Sequence, residues 1–328
     1  MSGKLYQSLM LLIVLVSFAF NAHAQKLNSA YPALGGTFLP LWVTHEAGLF
    51  KKHGLDVDLV YIRGGTMVGT AIAAGHTPIG GISGAAVVPV AGSGLDIVFI
   101  ATMVDTLPYF LVARPEIKTK EDLRGKRAGI STFGSASDFV TRMALEGLGL
   151  VPDKDVAIIQ IGAVPDRFAA MEGNFIQATV LTPPINLIAK RKGFRIIANV
   201  GALGLKIPDS GLGTTRSYIK SNREIVRKYL MAYLEGIKVL KSNPALSMKS
   251  LSRYARVTEA ELLEEAYRFY AGAVPDRPYV DLPSVQKVID FYKKARPEMA
   301  KFKAEQMVDM SVLQEIDQSG FIETLYKK

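Results

Sequence analysis

Glu46-Ala47-Gly48-Leu49-Phe50-Lys51-Lys52-His53-Gly54-Leu55-Asp56-Val57 carries the chain out of a helix and directly into a strand. The helix runs through Trp42, His45 and Phe50 and stops at Gly54, a residue suited to the left-handed position after a helix end. From Leu55 the period changes to two: Leu55, Val57, Leu59 and Tyr61 share one face, Asp56 and Asp58 the other. Upstream, Lys26 to Ala30 reads as a strand that feeds the small-residue loop Leu34-Gly35-Gly36-Thr37. Strand, small loop, helix, strand is the unit of a mostly parallel sheet covered by helices.

The unit recurs. Arg63-Gly64-Gly65-Thr66 opens a second helix, and Ile79 to Ile82 and Ile97 to Ala101 are further strands. A second module begins near Thr119, with a strand at Lys126 to Ile130, a loop at Ser131 to Ser137 and a helix from Asp138 to Leu148. Val156 to Ile161, Ala178 to Leu181 and Arg195 to Ala198 supply more strand. Beyond Ser221 the chain turns helical, with a capping box expected at Thr258 to Glu261 and Pro283 at a first helical position. The hexapeptide Gly-Ala-Val-Pro-Asp-Arg occurs at Gly162 to Arg167 and again at Gly272 to Arg277. The flanks differ, so shared turn chemistry explains the pair better than duplication.

Lys4, the apolar run Leu9 to Phe20 and Ala22-His23-Ala24 form the three parts of a secretory signal peptide, cut before Gln25. As a helix that run would reach about 18 Å, short of the roughly 30 Å core of a bilayer. A periplasmic protein is expected. The 328 residues contain no cysteine, which excludes thiol nucleophiles, cysteine-based zinc sites and N-terminal lipidation. The net charge of +9 is dispersed among acids, and Lys190-Arg191-Lys192 suits the last turn of a helix, so nucleic acid is not an expected partner.

Enzyme signatures are absent. Ser83 in Gly81-Ile82-Ser83-Gly84-Ala85 hints at a nucleophile elbow, but His23, His45, His53 and His76 all precede it, and the α/β-hydrolase order needs a later histidine. His45 and His53 lack a third ligand nearby, so no metal is expected, and no nucleotide-binding glycine motif occurs. What recurs instead is small-residue loops between strands and helices, where unpaired N–H groups and the helix dipole favour anions. Ligands collect at such strand ends.

The candidate ligand-binding residues follow from these loops: Tyr31, Gly36, Thr37, Phe38, Arg63, Gly64, Thr66 and Ser83 from the first module, and Thr132, Phe133, Gly134 and Ser135 from the second. Arg63 could grip a carboxylate or sulfonate through two hydrogen bonds. Tyr31, Phe38, Trp42 and Tyr109 could wall the site. The loop Ser131 to Ser137 either offers N–H groups and hydroxyls to a ligand or merely caps the helix behind it.

Glu46 to Val57, the Asp-Leu-Arg-Gly-Lys-Arg core of Thr119 to Ile130, and Gly134 to Val156 with Ala144-Leu145-Glu146-Gly147-Leu148-Gly149-Leu150 resemble ABC-transporter solute-binding proteins of the nitrate/sulfonate/taurine and thiamine-pyrimidine-precursor type. The resemblance implies an α/β, two-lobed type II periplasmic-binding-protein fold. Residues 25–113 and 215–328 would form the first lobe, with its return strand and C-terminal helices, and 114–214 the second. It implies a non-catalytic, monomeric component of an ABC importer that needs no cofactor and hands a small anionic or aromatic organic solute to an inner-membrane permease. The lobes would close about Val112 to Pro115 and Gly213 to Arg216. Pro78 and Gln177 depart from the family, which often places an acid at those points. Two rivals are a pyrimidine-precursor-synthase-like enzyme, whose cysteine-rich motif this chain lacks, and an exported sensor or scaffold without a transporter.

Overall fold

A computed structural model describes residues 25–203 and 207–327; the expected signal peptide lies outside them. The first half runs β1 (Gln25–Tyr31), a 3-10 turn (Gly36–Phe38), α1 (Leu39–Glu46), α2 (Leu49–Lys52), β2 (Leu55–Tyr61), α3 (Gly65–Ala73), β3 (Gly80–Ile82), α4 (Gly84–Gly92) and β4 (Val98–Val104). Then come β5 (Phe110–Ala113), β6 (Lys126–Ile130), α5 (Ala136–Gly147), β7 (Val156–Gln160), α6 (Val164–Glu172), β8 (Ala178–Leu181), α7 (Ile185–Arg191), β9 (Arg195–Asn199) and β10 (Ser210–Thr214). The longer C-terminal helices are α8 (Arg216–Ser221), α9 (Arg223–Ser242), α10 (Pro244–Ala255), α11 (Ala260–Ala273), α12 (Leu282–Ala295), α13 (Ser311–Gln318) and α14 (Phe321–Tyr326).

Two lobes result. In the first, β1 and β2 pair in parallel from Gln25↔Leu55 to Tyr31↔Tyr61, and β3, β10 and β4 form a second set with β10 antiparallel in the middle. Gly80 brings β3 flush against β1, since a Cβ there would meet the Ala30 carbonyl at 2.9 Å. The second lobe is the five-stranded sheet β7-β6-β8-β5-β9, with β5 antiparallel to β8 and β9. Each sheet thus receives one reversed strand from the chain that has just left the other sheet. Among the described residues the chain passes between them at 105–109 and at 200–203 and 207–209.

The first half of each stretch expected to bend is paired strand. Val112 and Ala113 sit in β5 between two neighbours, and Gly213 and Thr214 sit in β10. β5 is only four residues long, and β10 is glycine-rich in a way that weakens any strand reading. Packing supplies the reason for the glycine: a Cβ at Gly211 would lie 2.4 Å from the Ala101 carbonyl.

Two local readings also change. The helix expected to run through Phe50 is broken into α1 and α2 at Gly48, whose φ of 69° interrupts it, while Gly54 (φ 77°) does end α2 as its residue type requires. The capping box at Thr258 does not form, because Glu259 takes the cap position with no side-chain bond to the helix.

The C-terminal helices cover the first lobe. On α9, Val226, Tyr229, Leu230, Tyr233, Ile237 and Leu240 are buried at helical spacing. The Tyr229 hydroxyl reaches Ser29 Oγ on β1 at 2.7 Å, and Gly236 lets α9 close onto Thr44 of α1. No described helix is long and apolar enough to cross a membrane.

Candidate ligand cleft

The loops that follow β1, β3, β6, β7 and β8 converge between the lobes around a small cavity. Its volume is about 60 Å³. The lobes touch on either side of it. Thr66 Oγ1 lies 3.2 Å from Thr132 Oγ1, Gly36 N donates to the Pro183 carbonyl at 3.4 Å, and the Tyr270 hydroxyl donates to that same oxygen at 3.0 Å. The cleft is drawn closed.

The second lobe builds its wall from two adjacent parallel strands. β6 and β7 pair in register, so the helices that follow them, α5 and α6, start side by side. Before α5, the hydroxyls of Ser131, Ser135 and Ser137 form a mutual network at 2.9–3.0 Å. Ser135 is the N-cap, accepting from Asp138 N at 3.4 Å, and the Asp138 carboxylate accepts from Gly134 N at 2.8 Å. Phe133 N is taken up by Gln160 Oε1 at 3.2 Å. Among the described residues, the N–H groups of Ala136 and Ser137 have no acceptor, and both residues line the cavity.

Beside them, in the first turn of α6, stands Arg167. It is 4% exposed, lines the cavity, and its Nε and Nη1 have no hydrogen-bond partner. Burial pulls its guanidinium down to about 10, against the opposing pull of Tyr109, Tyr61 and Asp166, so it remains a cation at neutral pH. Asp209, in the passage that leads into β10, also lines the cavity and is 4% exposed, with neither carboxylate oxygen hydrogen-bonded. Its backbone is fixed by a bond from its N–H to the Val104 carbonyl at 3.0 Å. Burial pushes its carboxyl up to about 7, with the nearby Tyr109 hydroxyl pulling weakly the other way. Tyr109 itself is raised well above its ordinary value by burial and by Asp209.

Of the residues expected at the site, Thr37, Phe38, Ser83 and Ser135 line the cavity, as does Tyr109 among the expected aromatic walls. Ser83 Oγ is buried there without a partner. Tyr31 and Trp42 stand one layer behind, edge-to-face at 5.7 Å, with Trp42 stacked on Tyr254 at 4.9 Å. Gly36 lies against the Tyr270 ring. Gly64, Thr66, Thr132 and Gly134 meet each other where the lobes touch, a Cβ at Gly64 being 2.7 Å from Thr132 Oγ1. Arg63 is at the rim, half exposed and 3.2 Å from Asp166 of the opposite lobe, and Phe133 is 51% exposed.

Sequence reading passed over Arg167 and Asp209. Arg167 closes the first copy of the repeated hexapeptide, which opens α6, whereas the second copy ends α11 and its Arg277 pairs with Asp317 and Glu323. The signal was available: Arg167 falls in the first turn of a helix that follows a strand. No comparable signal marks Asp209. The described residues contain no group of His, Asp and Glu that could hold a metal ion.

This architecture has known counterparts. The candidate binding protein YtlA of Bacillus subtilis is 26% identical over 202 residues, an alignment that spans 60% of this chain and 60% of YtlA. A candidate ABC transporter periplasmic binding protein of Brachyspira hyodysenteriae is 22% identical over 73% of this chain and 72% of its own length. The alkanesulfonate-binding protein SsuA of Xanthomonas axonopodis pv. citri, solved bound to MOPS, superposes with a TM-score of 0.69 at 16% identity, covering 88% of this chain and 96% of that one. The NMT1/THI5-like family model matches residues 36–247, spanning both cavity walls, and the chain belongs to that family.

Proposed function

We propose that this protein is an exported, non-catalytic solute-binding protein that captures a small organic anion between its lobes and delivers it to an ABC importer. The observation that carries the reading is the buried, unpartnered Arg167 guanidinium beside the two free N–H groups at the start of α5. A buried cation without a partner is costly, and an anion in the cavity relieves that cost while satisfying the helix terminus. The naming of YtlA and the Brachyspira protein as binding proteins supports the class, and the sulfonate ligands of SsuA support the sign of the charge. The mature chain would begin at Gln25 in the periplasm. Closure would turn on the passages between the sheets, 105–109 on one side and 207–209 on the other, because a ligand that touches both lobes stabilises only the closed form.

A thermal-shift screen of small carboxylates, sulfonates and phosphonates tests the proposal. A true ligand at 100 times its Kd adds about 2.7 kcal/mol of stability, and R167M should abolish that gain. Stabilisation by neutral sugars alone would overturn the anion reading, and turnover of the bound compound would overturn the non-catalytic one.

A further inference from the structure

Beside the cavity, the glycine pair of the first lobe serves the backbone of the second. Gly36 was expected at a ligand, yet its N–H donates to the Pro183 carbonyl at 3.4 Å, and the Tyr270 hydroxyl of α11 donates to the same oxygen at 3.0 Å. The missing side chains let the lobes come this near. A Cβ at Gly35 would lie 2.4 Å from Thr182 Oγ1, and one at Gly36 would lie 2.1 Å from the Tyr270 ring. Tyr270 is fully buried, and neither it, Gly36 nor Pro183 belongs to the cavity wall. We propose that Tyr270 and Gly36 form a latch on the Pro183 carbonyl, which sets how far the lobes stand closed before any ligand arrives.

The latch rests on the hinged closing of the reading above and not on the charge of the ligand. Both donors and the acceptor are protein groups on opposite lobes, so the contact forms whenever the lobes meet. Opening strips a buried hydroxyl of its acceptor or brings water in to replace it, and a buried donor left unpaired is costly. Burial raises the Tyr270 hydroxyl and keeps it protonated, a donor at any physiological pH, while Thr182 of the same second-lobe loop also draws on it. The helices behind the latch agree with it. Ile185 and Ile188 of α7 pack against the first-lobe core, and Arg191 at the end of α7 pairs with Glu261 near the start of α11. A closed population present beforehand tightens apparent binding, because the apparent Kd scales inversely with the fraction of protein already competent.

The test reads lobe separation directly in the ligand-free mature protein. The chain has no cysteine, so spin labels on the exposed positions A74C, at the end of α3, and A169C, on α6, report one distance across the cleft. Double electron–electron resonance of the parent should show the short distance as its main population. Y270F should move the ratio of short to long about two- to tenfold toward long, and G36A, whose methyl displaces the ring, at least as far. Y233F is the control: it removes an equally buried hydroxyl bond, to the Thr102 carbonyl at 2.7 Å within the first lobe, and should lower melting while leaving the distance unchanged. A shift in Y233F as large as that in Y270F means general loosening and overturns the latch. A parent already at the long distance, or one short distance in every variant, overturns it too. The anion site stands apart from each of these results, because R167M tests it through the ligand screen.

Discussion

At the scale of single residues, Asp209 is a carboxyl that burial brings to titrate near neutrality. Unfolded, it titrates near its ordinary 3.8; folded and empty, near 7. Between those values the folded state keeps a proton that the unfolded chain has lost. Stability therefore falls as pH rises through that window, by up to about 4 kcal/mol in all, and stays reduced above it. D209N should erase the effect: more stable than the parent at pH 8 by a few kcal/mol, and matching it at pH 4. Urea unfolding at the two pH values checks this. A parent protein that instead gains on D209N as pH rises would show that Asp209 is ion-paired. Sequence gave no hint of such a group, because a lone aspartate before a strand is an ordinary surface residue until two lobes close over it.

At the scale of elements, the loop Ser131 to Ser137 was readable from its composition, and the structure makes it both a cap and a cavity wall. Ser135 caps α5 and also lines the cleft, so S135A should lower apo stability by about 0.5–2 kcal/mol and weaken ligand binding as well. Among the described residues the Thr132 hydroxyl bonds only to Thr66 in the other lobe, and its carbonyl keeps its bond from Ser135 N on substitution, so T132A should leave apo melting nearly unchanged. Melting curves and titrations of the two variants separate these roles; equal loss of apo stability in both would contradict the division. The same local reading misplaced Thr258, where a capping sequence was present but the helix began one residue later. Identical hexapeptides that open α6 and end α11 make the same point: local chemistry proposes a turn, and the flanking packing decides which end of a helix it serves.

At the scale of the whole molecule, the lobes share an apolar seam, where Phe139 of α5 packs on Phe291 and Tyr292 of α12, and exposed polar pairs add little to it. The Arg63–Asp166 pair joins the lobes at 3.2 Å but both side chains are about half exposed. Such a pair contributes about 0–1 kcal/mol, so R63A should weaken ligand binding by no more than about fivefold. The deficit should fade between about 0.05 and 0.5 M salt. R167M, by contrast, should remove binding at every salt concentration. Affinity titrations of both variants across salt decide which arginine the ligand sees.

The α/β class, nearly every strand of the two parallel sets and the family are legible along the chain, because hydrophobic period, glycine punctuation and turn residues are properties of neighbouring residues. Strand ends can be counted from those periods, and four of the candidates named on that ground, Thr37, Phe38, Ser83 and Ser135, line the cavity. Tertiary structure decided the two reversed strands β5 and β10, whose short or glycine-rich sequences make sense only between partners from elsewhere in the chain. It decided, too, which arginine turns inward. Arg63 and Arg167 both follow a strand and stand close to a helix start, yet one finds a carboxylate at the rim and the other is buried without a partner in the cavity. Burial and the lack of a partner arise from surfaces contributed by residues far apart in sequence, so no local pattern can encode them.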